Sequence, residues 1–413
     1  MSPEALEQLS AGMDSDAHEL LESLPASWLS HDSTEKHKTT GTSATKCDAM
    51  SSDPLALSIN MISTLSRAAF ISQKPGSSPT ASSEEQSLLQ RTLYLYKLSA
   101  IAIIRQKLSD ASSINDPNVF QGIITLAGCE FMAGSPAEGR LHLEACLEIA
   151  RARGGLDTLL NSELESLSLT DFSTAALSGN LPIVSVGEIE AAIQARRPKP
   201  RNSASLVESG FSKLQCLLTK QALQLREGLI NLFYTTTEIN QAASRSPKSQ
   251  EYKDFHLRGL LAGYQLCHGQ QPDAKNSSAN AMEARLCESL RIAGTLLVAI
   301  ACLKEIPREH LFERLTEDLM LRMQHITASY LPRPAIPAML WVCFIGAYCA
   351  STSAKQAFFL QYISQLASFL DLEKWKYVRE QLRRFPYLDS VFNAPFDEIW
   401  NSAAFWSGSM EWE

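Results

Sequence analysis

Apolar residues recur three and four positions apart along most of the chain after Asp53, and this spacing limits the fold more than any other feature. Such spacing marks one face of an α-helix, whereas the alternation that marks a half-buried strand is scarcely seen. We therefore predict an all-α protein, an irregular multi-helix array or bundle. The predicted helical segments are 55–72, 84–108, 118–131, 136–153, 159–177, 186–196, 206–242, 281–305 and 307–330, followed by closing helices after a proline-rich break.

The composition supports a folded helical protein and argues against a broad nucleic-acid surface. Of the 413 residues, 45% are hydrophobic and 8% aromatic, which suits one large or two ordinary helical domains. The formal net charge is −8, whereas a DNA-gripping surface needs clustered Lys and Arg, so we expect no direct DNA binding by this chain. The apolar runs 292–303 and 338–350 are shorter than the ~20 residues of a membrane span. We expect two buried core helices and no membrane association.

The chain divides by composition into a helical domain and two tails. Residues 1–52 combine an acidic, leucine-containing segment with a Ser/Thr-rich linker that starts at Ser30, and we predict a disordered N-terminal segment there. Residues 53–402 form the helical domain, with a candidate internal break near 179–205, and residues 403–413 form a short flexible tail. The acidic segment fits either a transient helix that docks into a coactivator groove or a solubilising tail.

One predicted helix carries signals at both ends. Ser135 can cap it, Pro136 suits the first helical position, and Glu138 completes a capping box. Gly154 or Gly155 then supplies the left-handed stop. Between these signals the apolar residues fall on one face and predict a buried stripe of Leu143, Cys146, Leu147 and Ala150.

Two more helices are predicted near the end of the chain. The first is expected to bury a stripe of Phe358, Tyr362, Leu366 and Phe369. Asp371 can cap the second, and Pro386 ends it. The second helix carries Leu372, Trp375, Val378, Leu382 and Phe385. We expect Trp375 to be buried against the helix at 340–349, and Trp412 to lie on an exposed end that faces partners.

These closing elements resemble one family. The apolar helix with Trp341 and Gly346, the amphipathic helix, the short helix with Trp375 and a final proline-to-tryptophan turn are similar to the end of the fungal-specific transcription factor domain. The matching residues are Trp341, Gly346, Trp375, Val378, Leu382, Pro395 and Trp400. The stretch from His142 to Gly155 resembles the family's histidine-to-Gly-Gly segment, and the resemblance spans about Asp53 to Trp400. It implies a regulatory domain that controls a DNA-binding part through dimerisation or effector sensing.

The DNA-binding part of that family is a zinc binuclear cluster, and its cysteine pattern is missing here. Such a cluster needs six closely spaced cysteines, two Cys-x-x-Cys pairs among them, because each zinc ion takes four ligands. Lys46-Cys47-Asp48 echoes the family's core, yet Cys47 is the only cysteine before Cys129. We expect no zinc and no other cofactor, since chance explains a match this short better than a remnant does.

Catalytic signatures are also missing, so we do not expect an enzyme. The sequence has no Gly-x-Ser-x-Gly elbow, no Gly-x-Gly-x-x-Gly, no Walker loop, no His-Glu-x-x-His and no Asp-Asp-x-x-Asp run. Cys267 and His268 are neighbours, but adjacent residues on a helix point apart and rarely form a nucleophile and base. A packing role for His142 outweighs a ligand role.

A short basic run is the one candidate targeting signal. Four cations, Arg196, Arg197, Lys199 and Arg201, lie within six residues among prolines. Nuclear import receptors recognise such exposed runs, which would place the protein in the nucleus. A plain polar linker between helices is the other reading, and it would leave the protein in the cytoplasm.

The sequence therefore predicts a transcription regulator of the fungal-specific transcription factor domain type that acts through protein partners such as the transcription machinery or another regulator. It is either a truncated or accessory regulator without a zinc cluster, or part of a gene product whose zinc segment lies outside this chain. A homo-oligomer is compatible with it, and no effector ligand is indicated. The alternative is a non-catalytic helical scaffold without a transcriptional role.

Overall fold

The computed structural model describes residues 53–72, 83–196, 209–214, 223–243, 249–269, 278–303 and 309–407. In these ranges the chain forms α-helices and short 3₁₀ turns without a strand, which confirms the all-α prediction. The disorder predicted for residues 1–52 and the tail predicted from 403 concern residues that lie wholly or mostly outside these ranges. The helices are α1 (Pro54–Ser72), α2 (Ser83–Leu108), α3 (Pro117–Met132), α4 (Pro136–Ala152), α5 (Asn161–Ser178), α6 (Val186–Ala195), α7 (Leu223–Ala243), α8 (Ser249–His268), α9 (Ser278–Cys302), α10 (Glu309–Met323), α11 (Ile336–Cys349), α12 (Ser353–Phe369), α13 (Trp375–Leu382) and α14 (Asp389–Ser407).

The chain forms two compact units, Met1–Thr170 and Asp171–Glu413, with the boundary inside α5. In the first unit α1 packs against α2 and α3, and α3 packs against α4. Polar groups join the helix ends: Lys107 Nζ at the end of α2 lies 2.8 Å from Asp116 Oδ2 before α3. The side-chain amide of Asn118 donates to Asp53 Oδ2, just before α1, at 2.8 Å. The end of α2 and the starts of α1 and α3 therefore meet at one polar cluster, which fixes how these three helices pack together.

Helix α4 confirms most of its predicted signals. Pro136 takes the first position, and the predicted stripe of Leu143, Cys146, Leu147 and Ala150 is buried. Gly154 and Gly155 both have positive φ, and the amide of Gly155 donates to Ala150 O at 2.9 Å, as in a left-handed helix stop. The capping box is wrong, because the side chain of Ser135 makes no capping hydrogen bond.

A buried ion pair joins the end of α4, just before this stop, to α5. The Arg153 guanidinium lies 2.9 Å from Glu163 Oε1 on α5, and both side chains are buried. The same guanidinium donates to the carbonyl of Ile114 at 2.6 Å and lies over the ring of Phe120, 5.0 Å from its centroid. Each buried charge thus has a partner, as a low-dielectric interior requires.

The second unit is built around α9 and α11. Helix α9 packs against α8, α10 and α11, and α11 packs against α12, α13 and α14. The residues from Ile292 to Ile300 are nearly all buried, as are those from Ile336 to Ala347 except Pro337. Both predicted core helices are therefore confirmed. Within the described residues, no helix is both long and apolar enough to cross a membrane.

Helix α12 approaches α11 closely at Gly346. A Cβ atom at Gly346 would lie 2.4 Å from the ring of Phe359, so the ring packs directly onto the glycine backbone. This contact turns the buried face of α12 to Phe359, Leu360, Ile363, Leu366 and Ala367. The predicted stripe is therefore only partly right: Leu366 is buried as predicted, Phe358 and Tyr362 are half-buried, and Phe369 is 53% exposed.

Several predicted boundaries in the second unit are also corrected. The described part of segment 206–242 begins with a 3₁₀ turn, Gly210–Leu214, and α7 starts at Leu223. Helix α8 was not predicted. Asp371 does not cap α13, whose N-cap is Lys374; it has a φ of 53° and ends α12, where the amide of Leu372 donates to Ala367 O at 3.0 Å. The final proline-to-tryptophan turn is helical, since Pro395 lies inside α14.

Candidate functional surfaces

The turn at Pro386, between α13 and α14, gathers the family-like residues of the second unit. The indole N–H of Trp341 donates to Pro386 O at 2.9 Å, and its ring is fully buried. The ring of Phe385 lies 6.1 Å from that of Trp341, and the ring of Phe211 contacts both. Pro386 does follow the end of α13, as predicted, and its carbonyl is an anchor of the fold.

Backbone groups on both sides of Pro386 are held in the same way. The amide of Gly210 donates to Arg384 O at 2.7 Å. From α7, Asn240 donates to Tyr387 O at 2.7 Å and accepts from the amide of Asp389 at 2.9 Å. These groups are buried or partly buried, so the loss of any of these hydrogen bonds is expected to cost stability. The turn therefore ties α7 and α11 to the closing helices.

Trp375 differs from Trp341 although both belong to the family-like set. Its ring contacts Phe344 of α11, with centroids 6.2 Å apart. The contact with α11 is as predicted, but full burial is wrong, since Trp375 is only half-buried. Trp400 is buried in α14, and Trp412 lies outside the described residues.

The first unit has a groove lined by residues of α1, α2 and α3 and by Ala133, which follows α3. Its volume is about 250 Å³, and its lining is mainly apolar. The lining residues are Ser66, Ala69, Gln90, Leu93, Tyr94, Lys97, Cys129, Met132 and Ala133. Lys97 Nζ pairs with Glu130 Oε1 at 2.8 Å on one wall, and the hydroxyl of Ser66 donates to Cys129 Sγ at 3.0 Å on the floor.

Burial shifts the pKa values of Cys129 in this groove and of His142 on α4. It raises the pKa of the Cys129 thiol to about 11, against a smaller opposing effect of the Ser66 hydroxyl. The thiol is therefore protonated at neutral pH and is a poor nucleophile. Burial lowers the pKa of His142 on α4, with Glu130 opposing this shift. A neutral, packed imidazole agrees with the packing role expected for His142.

The outward face of α2 adjoins the groove through Tyr94. At about 100° per residue, Arg91, Tyr94, Leu98 and Arg105 fall within about 60° of one another around the helix. All four are exposed, Tyr94 by 61% and Leu98 by 44%. We call these four residues the α2 face. Sequence reasoning missed it, because apolar residues occur on all sides of α2. Only the packing shows which of these residues remain exposed.

A second groove, of about 420 Å³, lies in the other unit beside the end of α12. Its lining includes Ser364, Asp371, Glu373 and Trp400 and is half polar. Both carboxylates are exposed, so they remain well hydrated. The groove therefore has polar walls but no buried polar group that would orient a ligand.

Asp171, which sequence reasoning did not single out, is the most completely buried carboxylate among those with described partners. Its oxygens accept from the amides of Ile183 and Val184, at 2.9 and 3.0 Å. The hydroxyl of Tyr264 on α8 donates to it at 2.9 Å. Three donors on one buried carboxylate fix the loop before α6 against α8, which is a structural role.

The Cys267 and His268 pair has no catalytic geometry. Burial raises the pKa of the Cys267 thiol to about 12. His268 Nδ1 lies 3.0 Å from the carbonyl of Tyr264, one turn earlier in its own helix. Among the described residues, no group of three or more His, Cys, Asp and Glu side chains is placed to hold a metal ion.

The basic run begins in the structure and then leaves the described residues. Arg196 is the C-cap of α6, and its guanidinium donates to Ala192 O at 2.7 Å. Arg197, Lys199 and Arg201 lie outside the described residues, as does the acidic segment near the N-terminus. The role of the run in nuclear import stays a prediction.

Comparison with known families identifies the class of protein. The sequence model of the fungal specific transcription factor domain matches residues 49–382 of the chain. The chain belongs to this family, as its closing residues predicted, and the family places it among regulators of transcription, which generally act in the nucleus. The match includes Trp341, Gly346 and Trp375 and ends before Pro395. Searches of curated proteins and of solved structures gave no match.

Truncation of Trp341 is expected to lower the stability of the protein more than truncation of Trp375. Trp341→Ala removes a fully buried ring and its bond to Pro386 O, so the free energy of unfolding should fall by ~3–5 kcal/mol. Trp375→Ala removes a half-buried ring and should cost ~1–2 kcal/mol. Calorimetric melting of both variants beside the parent chain checks this, and equal losses would contradict the burial described above.

Proposed function

We propose that this chain regulates transcription through contacts with other proteins and has no DNA-binding zinc cluster within its 413 residues. The family match over residues 49–382 carries the regulatory part of the proposal. The sequence carries the other part, because no Cys-x-x-Cys occurs anywhere in it. A regulator of this kind reaches promoters through a partner that binds DNA.

The described cysteines support this proposal. Cys129, Cys146, Cys267, Cys287 and Cys343 are free and buried. Burial raises the pKa of Cys287, as of Cys267, to about 12, and that of Cys343 also rises. Zinc is bound by several side chains grouped around one point, and among the described residues these cysteines belong to no group of three or more His, Cys, Asp and Glu side chains. They act as small hydrophobic side chains.

Surface electrostatics support it as well. The net charge of the chain is −8, so long-range attraction to a phosphate backbone is unfavourable. The α2 face combines an aromatic and an aliphatic side chain with two arginines, a composition typical of protein contact surfaces, where Tyr and Arg are enriched. We propose no catalytic role for the chain.

Tethering tests the regulatory role. The full chain is fused to an unrelated DNA-binding domain, and a reporter gene with the matching site is measured. The account predicts a clear change in reporter output relative to the DNA-binding domain alone. Trp341→Ala, which disrupts the core, should lose the change together with the fold. An unchanged reporter with a folded, nuclear fusion would favour the scaffold reading instead.

Nuclear entry is tested separately. Replacing Arg196, Arg197, Lys199 and Arg201 by alanine in a fluorescent fusion should move the protein toward the cytoplasm, because import receptors bind exposed cations. Arg333→Ala with Lys374→Ala and Lys376→Ala, three exposed cations elsewhere, is the matched control and should stay nuclear. If the first variant also stays nuclear, the run is a plain linker.

A further inference from the structure

We propose that the acidic segment at residues 1–29 of this same chain docks onto the α2 face and the adjoining groove. This surface, formed by Arg91, Tyr94, Leu98, Arg105 and the groove between α1, α2 and α3, would then hold the segment away from other proteins. The docking stands independently of the proposed function. Its consequence, the masking of a partner-binding segment, rests on that function.

The chemistry of the surface matches that of the segment. Residues 1–29 contain no Lys or Arg, and their acidic and bulky apolar residues include Glu4, Glu7, Asp14, Asp16, Glu19 and Glu22 with Leu6, Leu9, Leu20, Leu21, Leu24, Trp28 and Leu29. The surface offers exposed Tyr94 and Leu98 beside a mainly apolar groove. Apolar groups of the segment can cover these side chains, since burial of apolar area drives association.

The charges are complementary. Arg91 and Arg105 are exposed, and no described residue forms an ion pair with either. Lys97 in the groove is paired with Glu130 and is therefore largely neutralised. The acidic residues of α2 itself, Glu84 and Glu85, lie in its first turns, away from Leu98 and Arg105. Opposite charges at the edge of an apolar contact fix its register and speed its formation.

The connection has the right length. Residues 30–52 join the segment to Asp53, the residue before α1, and a chain of this length can reach at most ~75 Å. Ser66, which lines the groove, lies ~20 Å along α1 from Asp53 at 1.5 Å per residue. Because the connection is long enough to cover this distance, docking within one chain has an effective concentration that does not depend on the protein concentration. An intramolecular contact is thus favoured over capture of another protein's segment.

Site-specific photo-crosslinking in the full-length chain tests the docking. A photoreactive amino acid at Ala133, which is exposed and lines the groove, should crosslink to peptides from residues 1–29. The matched control is the same amino acid at Ala152, which is also exposed and ends α4. The yield at Ala133 should be severalfold higher and independent of protein concentration. Equal yields at both positions, or no peptide from 1–29, would overturn the proposal.

Charge reversal separates a specific contact from a chance one. Arg91→Glu with Arg105→Glu should lower the crosslink yield at Ala133, and adding Glu19→Lys with Glu22→Lys should restore it. Arg151→Glu, an exposed reversal on α4, should leave the yield unchanged. Circular dichroism verifies that each variant is folded. If the yield does not change when the arginines are reversed, the contact is non-specific and the proposal fails. If the crosslinks join isotopically distinct chains, the segment of a second copy occupies the surface instead.

Masking is measured with the tethered reporter. If the segment contacts partner proteins when released, Arg91→Glu with Arg105→Glu should raise the reporter output severalfold, and the compensating Glu19→Lys with Glu22→Lys should not. A positive crosslinking result with unchanged reporter output would keep the docking and reject the masking. The two parts of the proposal therefore fail in distinguishable ways.

Discussion

The second unit depends on the hydrogen bond between the indole N–H of Trp341 and the carbonyl of Pro386. This bond fixes the turn between α13 and α14 on the central helix α11, and the amide of Gly210 and the side chain of Asn240 hold the same turn from other elements. A hydrogen bond inside an aromatic cluster favours a single arrangement of its neighbours, because any arrangement that leaves the buried indole N–H or carbonyl without a partner costs free energy. Apolar packing supplies most of the stability, and this bond selects which surfaces meet.

Much of the fold follows from local sequence signals, and the failures have physical causes. Pro136 and the glycines after α4 act within a few residues, so they predict the limits of that helix correctly. The buried face of α12 is set by the contact of Phe359 with Gly346. This is a tertiary contact, and the helical periodicity of the sequence carries no information about it. An aspartate suits both an N-cap and a left-handed stop, so the sequence alone does not show that Asp371 ends α12 and does not cap α13. The family-like pattern predicts a turn at Pro395, whereas the structure has this proline inside α14.

The candidate surfaces were harder to predict than the fold. A catalytic or metal site leaves residue types at fixed spacing, whereas a contact surface is defined by what remains exposed after packing. Tyr94 and Leu98 look like core residues of α2 in the sequence, and only the structure places them outside. The resemblance of the closing residues identified the family, because buried positions such as Trp341 and Gly346 are fixed by packing. It could not identify which face of the first unit is used.

The central proposal is that these 413 residues contact DNA only through other proteins. Repeated selection of sequences bound by the purified full-length chain from a random double-stranded DNA library, at physiological salt, tests it most directly. The account predicts that no sequence motif is enriched and that the residual binding is weak and falls steeply with added salt. Enrichment of one motif, bound at nanomolar concentration by the chain alone, would contradict it.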